Sequence, residues 1–181
     1  MIALGIDPGT AACGFGVVAL EAGRLRLVDA GVIRTEAGET DAERLRLLYA
    51  ALGQLVAIHQ PHRIGIERLF FQRNVRTAMA VGQARGVALL VAAEAGLAVH
   101  EYLPMHVKQA VTGYGHAEKG QVERMVAQLV TLGGEPGSSH AADAIAIALC
   151  HLGHGGTPRV VAGGRRSTRA AWTAFAAGAG R

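Results

Sequence analysis

Only two cysteines occur among the 181 residues. That is too few for a disulfide framework, and Cys13 and Cys150 are not spaced as a zinc pair. Both sit among small or apolar neighbours and read as ordinary core residues. No stretch of about 20 residues is apolar and free enough of charge to span a bilayer. The opening MIALGIDPGT lacks the basic n-region of a signal peptide and reaches an Asp at position 7. No internal repeat is visible. A soluble chain in a reducing cytoplasm, with no membrane partner, is the expectation. Acid is missing from the last stretch: Leu152 to Arg181 carries Arg159, Arg165, Arg166, Arg169 and Arg181 unopposed, whereas Met1 to His151 sets 13 Lys and Arg against all 14 acids. The body is therefore no generic polycation, and any nucleic-acid binding must use a local patch with a basic tail.

What is present fits one domain with a sizeable core, since 50% of the residues are hydrophobic. Ile2–Ile6, Gly14–Leu20 and Leu25–Ile33 are apolar runs joined by short Gly-containing turns, the pattern of an antiparallel meander. Asp41 can cap a helix in which Leu45, Leu48, Leu52, Leu55 and Val56 follow helical spacing. Arg63–Glu67 is a fourth strand, expected to run parallel to the first because a helix precedes it. A helix over Val75–Ala95, a strand over Leu97–Tyr102, a short helix from Pro104 to Val111, a glycine-punctuated loop, and helices over Gln121–Leu132 and His140–Leu152 complete the pass. Ser138 or Ser139 can cap the last helix. The expected architecture is α/β: a mixed five-stranded sheet with helices on both faces. The domain is expected to span residues 1–152. Residues 153–181, rich in Gly, Ala, Arg, Ser and Thr, are expected to form a basic, disordered tail in which Trp172 and Phe175 are exceptions.

Three acidic motifs stand out. In GIDPGT, Asp7 ends an apolar strand, and Gly9 lets a backbone or phosphate come close; alone, it also suits a turn Asp. In IERLFF, Glu67 ends an apolar strand, which is costly unless a cation or an ion pair with Arg63 or Arg68 compensates. In SSHAADAIAIA, His140 and Asp143 lie three apart on one face of a helix start; helix capping by Asp143 and a solvent-facing His140 is the alternative. In open α/β sheets, sites form beyond the carboxyl ends of adjacent parallel strands, so Asp7 and Glu67 meet if their strands are neighbours. Three carboxylates and an imidazole suit a pair of divalent cations, Mg²⁺ or Mn²⁺, and two metals about 3.5–4 Å apart stabilise both the attacking and leaving oxygens of a phosphoryl displacement.

In order and spacing, GIDPGTAACGFGVV, IERLFF, NVRTAMAVGQARGVAL, VKQAVTGYGHAEKGQV and HAADAIAIALCH resemble the RuvC family of Holliday-junction resolvases over about residues 1–152. The resemblance implies an RNase H-like fold and a metal-dependent endodeoxyribonuclease acting in recombination and repair. It also implies symmetric paired nicks with 5′-phosphate and 3′-hydroxyl ends. It places catalytic and metal-binding roles on Asp7, Glu67, His140 and Asp143, with two Mg²⁺ or Mn²⁺ ions per site. Many members carry Asp where this chain has His140, so metal preference turns on that position. The resemblance further implies a homodimer through the Val75–Ala95 helix, four-way junction DNA as substrate, and the RuvA and RuvB branch-migration proteins as partners.

From Arg68 to Ala93 there are four arginines and no acid. This reads either as a solvated face beside two core aromatics, or as a basic rim with a ring that stacks on an unpaired base. On the second reading Arg73 and Arg76 belong to the DNA surface, and the resemblance places the stacking role on Phe70 and makes Lys108 and Lys119 phosphate contacts. Three rivals are weighed against this reading. An actin-like kinase shares the DxGT loop, but needs a second domain that about 180 residues leave no room for. A branched-DNA binding module explains the arginines but not the costly carboxylates. A nuclease of the same fold acting on ribosomal RNA precursors is separable only by substrate.

Overall fold

The computed structural model describes residues 1–68, 75–130, 137–153 and 159–162, without the side chains of 76 and 159–162. Strands β1 (Ile2–Asp7), β2 (Ala12–Glu21) and β3 (Arg24–Arg34) form the expected antiparallel meander. The β2–β3 turn places Ala22 and Gly23 at φ 49° and 79°, the left-handed pair that a two-residue hairpin needs. Helix α1 (Asp41–His59) then returns the chain to β4 (Arg63–Glu67), which lies parallel to β1 as expected. Helix α2 (Val75–Glu94) leads to β5 (Ala98–Tyr102), parallel to β4, and α3 (Pro104–Thr112), α4 (Lys119–Leu129) and α5 (Ser139–Gly153) follow.

Two expectations are corrected. The cap of α1 is Thr40, not Asp41: its hydroxyl accepts from Glu43 N–H, while Glu43 reaches back to the Thr40 N–H. The motif T-x-x-E satisfies two orphan amides at once, which a lone Asp in the first turn cannot do. In addition, Arg159–Ala162, assigned from sequence to the tail, forms a sixth strand, β6, antiparallel to β5. Two adjacent valines suit an edge strand, and the five expected strands become six in the order β3-β2-β1-β4-β5-β6.

The sheet has a core on each face. Leu4, Ile6, Val17, Ile64, Ile66 and Val99 pack with α1 and α2 residues on one side, and Ala3 and Val18 join α3, α4 and α5 residues on the other. Cys13 and Cys150 are buried on opposite faces, as befits core residues. Alternation along the strands decides what else reaches the α5 face. With Leu4, Ile6, Ile64 and Ile66 turned away from α5, the residues between and after them, Gly5, Asp7, Gly65 and Glu67, are turned toward it. Among the described residues, no helix is long and apolar enough to cross a membrane.

Candidate metal centre

Helix α5 brings the other half of the site. It lies almost against the sheet backbone: a Cβ on Gly5 would stand 2.0 Å from the Ala144 carbonyl oxygen, one on Gly14 2.1 Å from that of His140, and one on Gly16 2.7 Å from Ile145 N. Glycine is the only residue that leaves this room. Gly14 is also the β2 residue paired with Asp7, so the gap beside Asp7 is what admits the first turn of α5. Ser138 caps that turn, its Oγ accepting from Ala141 N–H at 3.2 Å. Asp143 is thereby relieved of the capping role that the sequence left open, and it is carried inward with His140 at i, i+3 spacing.

Donor atoms of Asp7, His140 and Asp143 all lie within 4.8 Å of one another. His140 Nδ1 is 2.8 Å from Asp7 Oδ2, and Lys119 Nζ donates to Asp143 Oδ2 at 2.7 Å. Glu67 is outside that close trio. It shares with Asp143 a cavity of about 230 Å³ whose wall also contains Lys108, Lys119, Val107 and Val122. The ion pairs considered for Glu67 are absent among the described residues: Arg63 Nη1 instead meets His100 Nε2 at 3.1 Å.

The electrostatics follow from too much negative charge in too little water. Burial first, then repulsion from Asp7 and Asp143, pushes the Glu67 carboxyl up to about 7. Asp7 is raised as well, mainly by burial, with the His140 hydrogen bond pulling the other way and Asp143 adding to the rise. Burial alone would lower Lys119, but its hydrogen bond to Asp143 and the charges of Asp143, Glu123 and Asp7 prevail and hold it above its ordinary value. Asp7 and Glu67 thus resist ionisation, and a cation beside them would offset both their burial and the repulsion. The donor set, oxygen with one imidazole, fits a divalent cation of the hard or intermediate kind.

Of the residues singled out from sequence, the structure gathers Asp7, His140 and Asp143 closely, with Glu67 beside them. Lys108 and Lys119, the only lysines in the chain, both line the cavity. Phe70 and Arg73, and the side chain of Arg76, lie outside the described residues. Sequence reading missed the Lys119–Asp143 pair, for which a separation of 24 residues leaves no periodic signal. It also missed the glycine floor, although Gly14 and Gly16 at period two offered a sign of it.

Comparison with known proteins converges on one family. The model described as crossover junction endodeoxyribonuclease RuvC matches residues 3–151. The crossover junction endodeoxyribonuclease RuvC of Chloroflexus aggregans is 54% identical over 151 residues, spanning 83% of this chain and 92% of that protein. That of Heliobacterium modesticaldum is 51% identical over 150 residues, spanning 83% and 93%. Among solved structures, T. thermophilus RuvC in complex with a Holliday junction substrate superposes with a TM-score of 0.83 at 40% identity, covering 89% of this chain and 99% of that one. The yeast mitochondrial Holliday junction resolvase Ydc2, at 13% identity and a TM-score of 0.60 over 82% of this chain and 77% of its own, shares the RNase H-like fold alone. The chain belongs to the RuvC family of crossover junction endodeoxyribonucleases.

Proposed function

We propose that this protein resolves four-way (Holliday) junctions by paired, symmetric hydrolytic nicks, and that Asp7, Glu67, His140 and Asp143 form its catalytic and metal-binding site. One observation carries the proposal: two adjacent parallel strands and one helix start bring the donor atoms of Asp7, His140 and Asp143 within 4.8 Å of one another, with Glu67 lining the same cavity as Asp143. Asp7, Glu67 and Asp143 would hold two divalent cations, Mg²⁺ or Mn²⁺, with His140 as the further ligand. Such ions supply charge at the attacking and leaving oxygens of a phosphodiester. With Nδ1 donating its proton to Asp7, the Nε2 lone pair of His140 is left to ligate Mn²⁺ or to take a proton from the attacking water. Lys108 and Lys119 contact phosphates of the scissile strand, a charge contact that positions without reading sequence. Phe70, Arg73 and Arg76 extend the DNA surface.

A homodimer suits a substrate with two equivalent strands. The exposed apolar side chains Val75, Met79 and Leu90, and the open backbone at Gly82 and Gly86, support α2 as the face for a second copy. RuvA and RuvB are the accompanying partners by family membership, in the bacterial cytoplasm.

The test is product mapping on a synthetic four-way junction labelled in turn on each strand. Metal-dependent cuts at symmetric positions in two strands of like polarity, with ligatable ends and an uncut linear duplex, are expected. Equal cutting of the linear duplex, or trimming from strand ends, would overturn the proposal.

A further inference from the structure

The loop between α3 and α4, residues 113–118, carries an aromatic residue to which the site gives no role. Gly113 ends α3 in the left-handed conformation at φ 77°, and Tyr114 follows at the bend. Its backbone is fixed from both sides. Tyr114 N–H donates to Thr112 Oγ1 at 3.1 Å, and the Thr112 hydroxyl is 2.8 Å from the Lys108 carbonyl and 3.0 Å from that of Tyr114, either of which can take its single proton. Ala117 N–H donates to the Tyr114 carbonyl at 3.2 Å, and Ala117, 1% exposed, anchors the loop in the α3–α5 core. The side chain nevertheless remains 58% exposed, its ring edge-on to His116 with centroids 5.7 Å apart.

The loop also joins α3 and α4, both of which supply residues to the cavity wall. Gly115 rests on Met105, where an added Cβ would stand 3.2 Å from the carbonyl oxygen. Met105 follows Pro104, a wall residue, and the loop runs on into Lys119, another. Lys119 lies five positions beyond Tyr114, a reach of at most about 18 Å, or about five nucleotides of duplex at roughly 3.4 Å each. A single exposed apolar residue needs no explanation. An aromatic locked at the backbone, with two side-chain torsions to lose and on a loop that joins the helices carrying Lys108 and Lys119, is arranged for contact at low entropic cost.

We infer that Tyr114 is a substrate-contacting residue, its ring packing on the deoxyribose face of the DNA strand that reaches the cavity, an inference that rests on the nuclease function proposed above. The contact positions the strand and carries no charge. It therefore adds affinity without releasing counterions, whereas each lysine–phosphate contact changes the salt slope by about 0.9.

The test uses the full chain, a fluorescent synthetic four-way junction and a linear duplex of the same arms. Binding is measured in EDTA at several salt concentrations, alongside thermal melting. Tyr114→Ala should weaken junction binding roughly tenfold, with an unchanged salt slope and melting temperature, and Tyr114→Phe should stay within about twofold of the parent. Lys108→Gln, by contrast, should flatten the slope. Unchanged affinity in a folded Tyr114→Ala variant overturns the inference, as does a lowered melting temperature with parental affinity in the folded fraction, which would make the residue structural. If the parent binds the junction no better than the duplex, the junction function fails, while a loss with Tyr114→Ala on either DNA still supports the ring contact. A parent that binds neither DNA overturns both.

Discussion

His140 Nδ1 lies 2.8 Å from Asp7 Oδ2, although 133 positions separate the two residues. The contact depends on β2, because Gly14 stands beside Asp7 in the sheet and beneath the His140 carbonyl. A position with no side chain thus sets the geometry of a pair far apart in the sequence.

Gly14→Ala tests that dependence. A methyl group 2.1 Å from the His140 carbonyl oxygen must displace the start of α5, and overpacking of this kind costs about 1–3 kcal/mol. Both melting temperature and Mn²⁺ affinity, the latter by calorimetry, should fall. Gly53→Ala in α1, where an added Cβ meets nothing within 4 Å, should be neutral or stabilising by up to about 1 kcal/mol. Equal behaviour of the two variants would contradict the positioning role of Gly14.

Glu67 makes the site sensitive to pH. Its carboxyl is held up to about 7 against an ordinary value of 4.5, so the folded chain retains a proton that the unfolded chain releases. The associated stability is fully present below about 4.5 and is lost as pH rises through about 7, amounting to at most about 3 kcal/mol. Metal-free protein should therefore melt progressively lower across that window, and Glu67→Gln should flatten the profile and melt higher than the parent at pH 8. Divalent metal competes with the same proton, so its affinity should rise through about pH 7 in the parent and be weaker in the variant. A variant less stable than the parent at pH 8 would show that Glu67 is compensated in some other way.

Much of this site was legible because periodicity carries direction. Glu67 and Asp7 end strands that a helical crossover makes parallel, and alternation turns both carboxylates to one face. His140 and Asp143 share a helix turn by spacing alone. The remaining features rest on contacts without a sequence period. Lys119 meets Asp143 only because α4 packs beside α5, and the strand register alone does not tell that Glu67 stands outside the close trio. Thr40 was hidden behind Asp41, the residue expected to cap although T-x-x-E was present in the chain. The sixth strand is four residues long and set in a Gly- and Arg-rich stretch, where composition outweighed its two valines.

The identity of residue 140 should decide metal preference. Neutral imidazole is a poor ligand for hard Mg²⁺ and an acceptable one for Mn²⁺, and it brings one less negative charge than a carboxylate. If Nε2 ligates, His140→Asp should raise Mg²⁺-supported cleavage relative to Mn²⁺. If Nε2 takes a proton from the attacking water, the variant should lose activity with both metals and change its pH–rate profile. An unchanged metal preference together with an unchanged pH profile would remove His140 from the site.

Asp7→Asn bears most directly on the central claim, that this cluster drives metal-dependent junction cleavage. The substitution removes charge from the centre but scarcely alters shape. The measurement is single-turnover cleavage of a labelled four-way junction in Mg²⁺ and in Mn²⁺, paired with gel-shift binding in EDTA. The expected result is binding close to that of the parent, with cleavage at least about a hundredfold slower, beyond the roughly 10–100-fold loss that follows from removing a mere supporting partner of a ligand. Cleavage by Asp7→Asn at the parental rate, or parental cleavage that persists in EDTA, would contradict it.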